Sequence, residues 1–532
     1  MCSPRIIILR EETLVASQPG SALSRNDYAK DWVKPNLMAL TPWFDLGRNA
    51  LWYAVGAVAL LLYHRIFTPP RAIRHLPRVP IFPLLRSYLL GESDDVRFQK
   101  LIMPFADEKA EGVVMVWALG LWMIYIIDHK LFVQVTTAPH AFPKMHFPPD
   151  MMLRRFVGTS NFLQMNGDEW KKRSIHLQKA FAQPLPIDLF VSLARNTFKV
   201  IEAAESSNSA TNFTVRWSDV AQNFALDAVG ASIIGHHFDA LRVRSPFVGD
   251  YNQMMHDVAN PLYVAFPVLD RLFPRREVVA GANRLRQSLH QLIDAKRSAP
   301  AKDVMSFLLQ DSEMSPAHLV DNVALLFVAG HETTSGAISS LVYYLAVDSR
   351  AQSKAREEVL RVLGPTADPS AASMTPQSLP YLSACIREAL RINTPISSTS
   401  PRISQTDITL GKYHIPAGSN LICNIYSVHH EKSTWTDPDV FKPERFLSDG
   451  NFKARHPWLP FSIGPRQCPG QKFAIYELRT LVAMLLRRYE WSLPVGSVHA
   501  SRIKNGFSPF SLMSPQDLDI TFRLLDGQVG LQ

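Results

Sequence analysis

The stretch FSIGPRQCPGQ, residues 461–471, places one cysteine among turn-forming residues, directly before an apolar run of helical character. Four kinds of site use a cysteine in this way: a structural disulfide, a zinc site, a redox nucleophile or a haem-thiolate site. No two of the cysteines lie within four residues of each other, which excludes a CxxC zinc or redox pair; they are Cys2, Cys385, Cys423 and Cys468. Four thiols in 532 residues are far from a disulfide scaffold and are typical of a reducing compartment. We interpret Cys385 and Cys423, which lie in apolar runs, as small buried hydrophobes.

A second group of chemically active residues interrupts a long apolar helical run with the sequence AGHETTSG, residues 329–336. Each glycine weakens a helix by roughly 1 kcal/mol relative to alanine, and such a local conflict usually has a compensating purpose. Glu332 and Thr333 offer a carboxyl and a hydroxyl side by side, and Ala329 one turn earlier leaves room for a small ligand. These groups could deliver protons in a dry pocket. The alternative is a helix kink with a hydrogen-bonded acid.

Two further motifs place an acid near two guanidinium groups. In EALR, Glu388 and Arg391 are three residues apart and share a helical face, a common pattern on exposed helices. In FKPERF, residues 441–446, Arg445 lies between aromatic residues and could complete a network with that pair through bidentate hydrogen bonds.

The elements that must position these residues are mainly helical. Hydrophobic residues make up 47% of the chain and charged residues 19%, which excludes a disordered chain. The net charge of +9 comes without a nucleic-acid motif or a run of six basic residues, so we interpret it as a solvated basic face for a partner protein. Short strands are predicted at Ile408–Leu410 and Asn420–Tyr426. Long amphipathic helices are predicted at Asp188–Ser206, Gly281–Arg297, Ala317–Val347, Gln352–Leu363 and Leu379–Ile392. The pattern predicts one large, mostly α domain with small β-sheets.

The N-terminal region contains a candidate membrane anchor. Residues 50–63 carry no charge. The segment from Arg65 to Arg86 contains five arginines and no acidic residue. Because positive charge is enriched on the cytosolic side of a membrane span, this segment predicts that the downstream domain is cytosolic. We predict an N-terminal extension at 1–48, a transmembrane signal anchor at 49–67, a proline-rich hinge at 68–83 and the main domain at 84–532. A buried core helix is the alternative for the anchor. Residues 1–37 are either a lumenal extension or precede the true start at Met38.

Taken in order, AGHETT, EALR, FKPERF and FSIGPRQCPG resemble the motifs of the cytochrome P450 family, and the resemblance covers roughly residues 70 to 525. The pattern Phe461-x-x-Gly464-x-Arg466-x-Cys468-x-Gly470 is highly specific to that family. The stretch WKKR, residues 170–173, resembles the helix that meets the haem propionates. PRISQTDITLGKYHIPAG, residues 401–418, resembles the segment after the EALR helix.

The resemblance implies a role for each of these residues. Cys468 is expected to be the axial thiolate ligand of the iron of haem b, with Glu332 and Thr333 relaying protons to dioxygen. Glu388, Arg391 and Arg445 are expected to form a structural network. The expected haem-binding residues are Trp170, Arg173, Arg402, Phe461, Gly464, Arg466 and Gly470. One departure concerns the position four residues after Trp170, which is often basic in the family and is Ser174 here, so propionate binding by this helix is less firmly implied.

The function implied is that of a haem-thiolate monooxygenase that inserts one oxygen atom of O2 into a lipophilic small molecule of secondary (natural-product) or lipid metabolism. Electrons are expected from an NADPH-cytochrome reductase, with cytochrome b5 as a further partner and no nucleic acid. The expected location is the endoplasmic reticulum membrane, facing the cytosol, with the apolar segment Ala259–Pro274 against the bilayer or, alternatively, as an internal connection. The alternatives in function are a thiolate-haem isomerase or dehydratase and a non-catalytic haem-binding protein. The substrate pocket is expected at residues 146–161, 323–333, 394–399 and 507–512.

Overall fold

The computed structural model describes residues 41–104, 112–204, 212–243, 245–447 and 457–525. Most of the predicted N-terminal extension, with Cys2, lies outside them. The helices in these ranges are α1 Thr41–Phe67, α2 Ile81–Leu89, α3 Asp94–Arg97, α4 His129–Thr137, α5 Leu153–Val157, α6 Gly167–Phe181, α7 Ile187–Glu202, α8 Trp217–Val229, α9 Pro246–Val258, α10 Pro261–Ala265, α11 Leu269–Leu272, α12 Arg276–Ser298, α13 Val304–Leu308, α14 Pro316–Val347, α15 Ser349–Leu363, α16 Pro380–Ile392, α17 Ile425–His430 and α18 Gln471–Arg488.

Strands form a small part of the described chain and pair into three sheets. The strands are β1 Val113–Ala118, β2 Leu121–Ile126, β3 Asn212–Arg216, β4 Arg402–Ile403, β5 Ile408–Leu410, β6 Tyr413–Ile415, β7 Asn420–Cys423, β8 Tyr489–Ser492 and β9 Asp519–Leu524. One sheet has the order β1-β2-β7-β4, a second the order β3-β9-β8, and β5 pairs with β6 as a hairpin. The predicted mostly α fold with small sheets is confirmed.

The long helix α14 runs through the core and carries the AGHETTSG stretch. Ser315 caps its first turn by accepting a hydrogen bond from the His318 N–H, and Pro316 occupies the first helical position, where no N–H is needed. Gly330 is required for packing, because a Cβ there would lie 2.8 Å from the Val229 side chain of α8. The glycine that weakens the helix therefore lets α8 approach it closely.

The predicted strand Asn420–Tyr426 is shorter in the structure. Strand β7 ends at Cys423, because the Asn424 side chain accepts a hydrogen bond of 2.7 Å from the Ser427 N–H and starts α17. Apolar residues continue through this junction, so their pattern did not show the change from strand to helix.

The described part of the chain divides into two compact units, one ending at Arg65 and one beginning at Ile66. Helix α1 contains the segment 49–67, for which an anchor was predicted. Among the residues that the structure describes, none of the helices combines the length and the apolar character needed to cross a membrane. The predicted transmembrane anchor is therefore not shown.

Candidate active site

A cavity of about 500 Å³ lies inside the second unit, and Cys468 is part of its wall. Helix α14 contributes Ala329 and Thr333, which are one turn apart. Apolar side chains predominate in the lining, among them Phe162, Leu326, Val328, Phe461 and Phe473. All four segments expected to form the substrate pocket contribute to the wall, and residues 88–102 and 116–125, which were not expected, contribute as well.

The loop before α18 holds Cys468 by backbone contacts. Its N–H donates a hydrogen bond of 3.0 Å to the carbonyl of Phe461. Gly464 has a φ of +82°, and a Cβ there would lie 2.9 Å from the carbonyl oxygen of Thr136, so only glycine fits. Cys468 is exposed where it lines the cavity. Desolvation by the surrounding protein raises the pKa of its thiol to about 11, although the N–H groups of Gly470 and Gln471 at the start of α18 lower it. The thiol needs a bound cation to become a thiolate at neutral pH.

Two cationic side chains, Lys144 and Arg466, line the cavity, and Arg402 lies beside Lys144; none of the three has an acidic partner in the described residues. Lys144 lines the cavity and donates to the carbonyl of Ser400, and it pairs through the backbone with Arg402. Desolvation, followed by the charges of Arg402 and Arg466, holds the pKa of Lys144 well below its ordinary value. The Nε of Arg402 is buried without a hydrogen-bond partner in the described chain, while its Nη1 donates to the Phe142 carbonyl at 2.7 Å. The group is positioned to bind an anion.

Arg466 links this cationic group to α6. Its guanidinium lies 4.5 Å from the centre of the Trp170 ring and donates to the carbonyls of Phe162 and Met165, each at 2.8 Å. Desolvation, with a smaller contribution from Arg402, lowers the pKa of Arg466 to about 10. Trp170 and Arg466 both line the cavity, so the structure brings together two of the expected haem-binding side chains.

Arg173 lies on the face of α6 that does not line the cavity. Its guanidinium donates to Asp311 Oδ2 at 3.1 Å and to the carbonyl of Glu313 at 3.2 Å, and it is not part of the cavity wall. Ser174, next to it in the sequence, does line the cavity. Consecutive residues lie about 100° apart around a helix, so Arg173, which was expected to bind a propionate, faces away from the cavity that Ser174 lines.

Glu332 and Thr333 are neighbours in the sequence but face different surroundings. Thr333 lines the cavity, and its hydroxyl donates to the carbonyl of Ala329 at 2.8 Å. Glu332 is not part of the wall; its Oε1 accepts a hydrogen bond of 2.9 Å from the hydroxyl of Tyr251 on α9 and lies 3.4 Å from His331 Nε2. Only the hydroxyl of the expected proton-delivery pair therefore reaches the cavity.

His331 and Tyr251 surround the carboxylate of Glu332. The Nδ1–H of His331 donates to the Phe327 carbonyl at 2.7 Å, because a carbonyl can only accept. The Nε2 of His331 is buried, lies 3.4 Å from Glu332 Oε1 and has no hydrogen-bond partner in the described chain. Desolvation acts to raise the pKa of Glu332, but the proximity and charge of His331 and the hydrogen bond from the Tyr251 hydroxyl outweigh it, and the pKa is lowered. Glu332 is therefore held as a carboxylate one residue from Thr333.

Glu388, Arg391 and Arg445 meet in the interior. Both oxygens of Glu388 accept hydrogen bonds of 2.9 Å from Arg391, and Oε1 also accepts one of 3.0 Å from Arg445 Nε. Arg391 donates further to the carbonyls of His429 and Pro438. The group fastens α16 to the turn Pro443–Phe446 and to the chain between them.

Sequence reasoning missed Lys144, Tyr251 and His331. The sequence offered no signal for Lys144, which reaches the site only because residues 144 and 402 pair across the fold. His331 lies within the AGHETT motif and could have been considered as a partner of Glu332.

The comparisons with known proteins agree with this geometry. The sequence model of the family described as "Cytochrome P450" matches residues 77–519. The human protein "Cytochrome P450 2J2" is 31% identical over 248 residues, which cover 44% of this chain and 49% of that protein. "Cytochrome P450 monooxygenase xanG" of Aspergillus fumigatus is 25% identical over 80% of this chain and 84% of its own length. The chain therefore belongs to the cytochrome P450 family.

A solved structure shows the same fold. The "Crystal structure of cytochrome P450DA heme domain" has a TM-score of 0.70 and 22% identity, covering 85% of this chain and 96% of that one. The cofactor of the family is haem with a cysteine thiolate bound to iron, and the residues present fit it. Cys468 would supply the thiolate, the apolar wall suits the macrocycle, and the cations Lys144, Arg402 and Arg466 suit two propionates.

Proposed function

We propose that the protein is a haem-thiolate monooxygenase that inserts one oxygen atom of O2 into a lipophilic small molecule. The observation that carries this proposal is that Cys468 and Thr333 line one largely apolar cavity. When bound, haem supplies the oxygen-activating redox chemistry. The electrons are expected from a separate NADPH-dependent reductase, and a lipophilic substrate would come from lipid or natural-product metabolism.

Each part of the chain contributes one physical task to this reaction. Cys468 would bind the iron, and the N–H groups of Gly470 and Gln471 would stabilise negative charge on its sulfur. The apolar wall excludes water from the reacting groups. The Thr333 hydroxyl donates its O–H to the Ala329 carbonyl, so on the cavity side its oxygen can accept a hydrogen bond and order a proton donor such as water. The sequence predicted that Glu332 and Thr333 would both face the cavity. In the structure only the Thr333 hydroxyl does so, and the Glu332 carboxyl lies behind it on the same helix.

The ligand assignment is tested by substitution of single cysteines. We expect Cys468→Ala to lose the carbon monoxide absorption of reduced thiolate–haem, because no other described cysteine lines the cavity. Cys423→Ala, which removes a buried thiol of a strand, should keep that absorption. A thiolate-type absorption in the Cys468 variant would contradict the assignment.

Oxygen use separates the proposed reaction from its alternatives. A monooxygenase consumes O2 and reducing equivalents when a reductase and a substrate are present. A thiolate-haem isomerase or dehydratase turns over without O2, and a non-catalytic haem-binding protein does neither. The hydroxyl of Thr333 in the cavity favours the first, because the other two need no ordered proton delivery.

We also propose that the protein associates with the endoplasmic reticulum membrane through an apolar surface, with the active site in the cytosol. Exposed side chains on α2 and on the segment α10–α11 support this; they are Phe82, Leu89, Leu90, Leu262, Leu272 and Phe273. Arg71, Arg74, Arg78 and Arg86, in or near α2, are exposed and suit anionic lipid headgroups. Val264, by contrast, is buried and lines the cavity, so the segment 259–274 is partly an internal connection.

A further inference from the structure

We propose that Tyr88 and Tyr125 form a polar subsite in the cavity that binds a neutral carbonyl or hydroxyl oxygen of the substrate. The inference rests on the proposed function, since it names a chemical feature of the molecule that the cavity accepts. Tyr88 lies on α2 and Tyr125 on β2, so the subsite joins two elements far apart in the sequence.

Both side chains are largely buried in the wall of the cavity, and their hydroxyls are free of hydrogen bonds to the described chain. Tyr88 is 7% exposed and Tyr125 is 6% exposed, and both contribute to the cavity lining. No hydrogen bond joins either hydroxyl to the part of the chain that the structure describes. The two hydroxyl oxygens are not among the fully buried polar atoms, so they are accessible from the cavity. A ligand oxygen there would gain a hydrogen bond of about 0.5–1.5 kcal/mol from either phenol.

The charges beside the two phenols determine which partner fits. The guanidinium of Arg97 lies 4.0 Å from the centre of the Tyr88 ring and is bound to Asp94 Oδ1 at 2.5 Å. It also donates to the Ser87 hydroxyl and to the Glu92 carbonyl. Asp94 in turn accepts a hydrogen bond of 2.6 Å from the Ser397 hydroxyl. Because Asp94 neutralises Arg97, this part of the wall offers no net positive charge to a carboxylate.

The phenols act as donors. Desolvation is the largest influence on both, and it raises the pKa of Tyr88 and of Tyr125, so the hydroxyls stay protonated. A protonated phenol can donate to a carbonyl, ether or hydroxyl oxygen. The ring centre of Phe98 lies 5.9 Å from that of Tyr125. Phe98 and the other apolar residues of the wall would contact the apolar part of the substrate. The substrate class is therefore a lipophilic molecule with an uncharged oxygen-containing group.

The first experiment measures thermal unfolding without ligand. We expect Tyr88→Phe and Tyr125→Phe to unfold at or slightly above the wild-type temperature, because each removes a hydroxyl that has no partner. Tyr343→Phe is the matched control: its buried hydroxyl donates to the His499 carbonyl at 3.1 Å, and it does not line the cavity. The control should unfold at a lower temperature. A similar loss in both cavity variants would show that the hydroxyls serve the fold and would overturn the proposal.

The second experiment measures calorimetric binding of 2-dodecanone, dodecane and dodecanoate to the full-length holoprotein. We expect 2-dodecanone to bind more tightly than the other two, and each phenylalanine substitution to weaken its binding about fivefold without changing that of dodecane. Equal affinity for the ketone and the alkane, tighter binding of dodecanoate, or no effect of the double variant would each overturn the proposal. Calorimetry does not depend on turnover, so ketone preference in a protein that lacks monooxygenase activity would refute the proposed function and leave the subsite standing.

Discussion

Thr333 and Glu332 show how one residue of displacement along a helix changes the role of a side chain. The hydroxyl of Thr333 lines the cavity, whereas Glu332 is bound behind the helix by Tyr251 and lies against His331. A proton carried by Glu332 would therefore have to pass from the rear of α14 to its front. Such a transfer needs movement of the Glu332 side chain or a bridging water.

Thr333→Ala should retain haem and substrate binding but divert reducing equivalents from product to hydrogen peroxide. The physical reason is that proton delivery at the front of the helix loses its ordering hydroxyl. The measurement is the ratio of product to NADPH consumed, and we expect a loss of at least several fold. Thr333→Ser, which keeps the hydroxyl, is the control and should retain most of the coupling. Unchanged coupling in Thr333→Ala would mean that this residue has only a helical role.

Tyr251→Phe should reduce the free energy of unfolding at neutral pH by about 1 kcal/mol, because Glu332 loses one hydrogen bond to its charged form. The pKa of Glu332 is lowered in the folded protein, so its stabilising contribution is present above the ordinary value of 4.5 and is lost as the pH falls through the folded value. The difference between wild type and variant should thus shrink below pH 4.5.

Denaturant unfolding between pH 3.5 and pH 7 measures this difference. Tyr343→Phe again serves as the control, because its hydroxyl donates to a backbone carbonyl and its loss should not vary with pH in that range. A pH-independent loss in Tyr251→Phe would contradict a link to Glu332.

At the scale of elements, the group Glu388, Arg391 and Arg445 fastens helix α16 to a turn more than fifty residues further along the chain. Glu388 and Arg391 have fully buried side chains. Removing the only carboxylate among these three residues leaves two guanidinium groups without their counter-charge in the interior.

Glu388→Gln should therefore lower the free energy of unfolding by about 3–5 kcal/mol. The matched control is Glu490→Gln, which breaks the surface ion pair with Arg523, whose side chains are 42% and 51% exposed. That change should cost less than about 1 kcal/mol. Urea or thermal unfolding of both variants gives the comparison, and equal losses would show that the buried group contributes no more than a surface pair.

The sequence predicted the elements more completely than the site. Helix α14 was predicted at Ala317–Val347, within a residue of its observed bounds, because its apolar run is long. The cysteine loop and the EALR and FKPERF residues were found because local motifs hold them. Lys144, Tyr88 and Tyr125 were not found, since they reach the cavity only through pairing and packing between distant segments. Arg173 was expected at the cofactor, yet Asp311 and the turn of α6 hold it outside the cavity.

At the scale of the whole molecule, the apolar surface on α2 and α10–α11 predicts binding to lipid vesicles. A protein reduced to residues 68–532, which lie in the second compact unit, should bind vesicles that contain anionic lipid, weakly and reversibly. Sedimentation with vesicles measures this binding. Replacing Leu262, Leu272 and Phe273 by serine should release the protein, because these exposed side chains would enter the lipid.

The control for this prediction replaces Val495 and Val498 by serine, two exposed apolar residues outside α2 and the α10–α11 segment. These changes should leave vesicle binding intact. If the truncated protein does not sediment with vesicles, the surface is not a membrane contact.

The buried cations Lys144, Arg402 and Arg466 also bear on how the newly made chain matures in the cell. Like charges held together in a dry interior oppose folding until an anion joins them, and the propionates of haem would supply that anion. Folding and cofactor supply are then coupled, and a chain that meets no haem stays in a less stable form that chaperones and proteases act on. The abundance of this protein should follow the rate at which the cell makes haem, so that cofactor synthesis acts as a quality-control step for the enzyme.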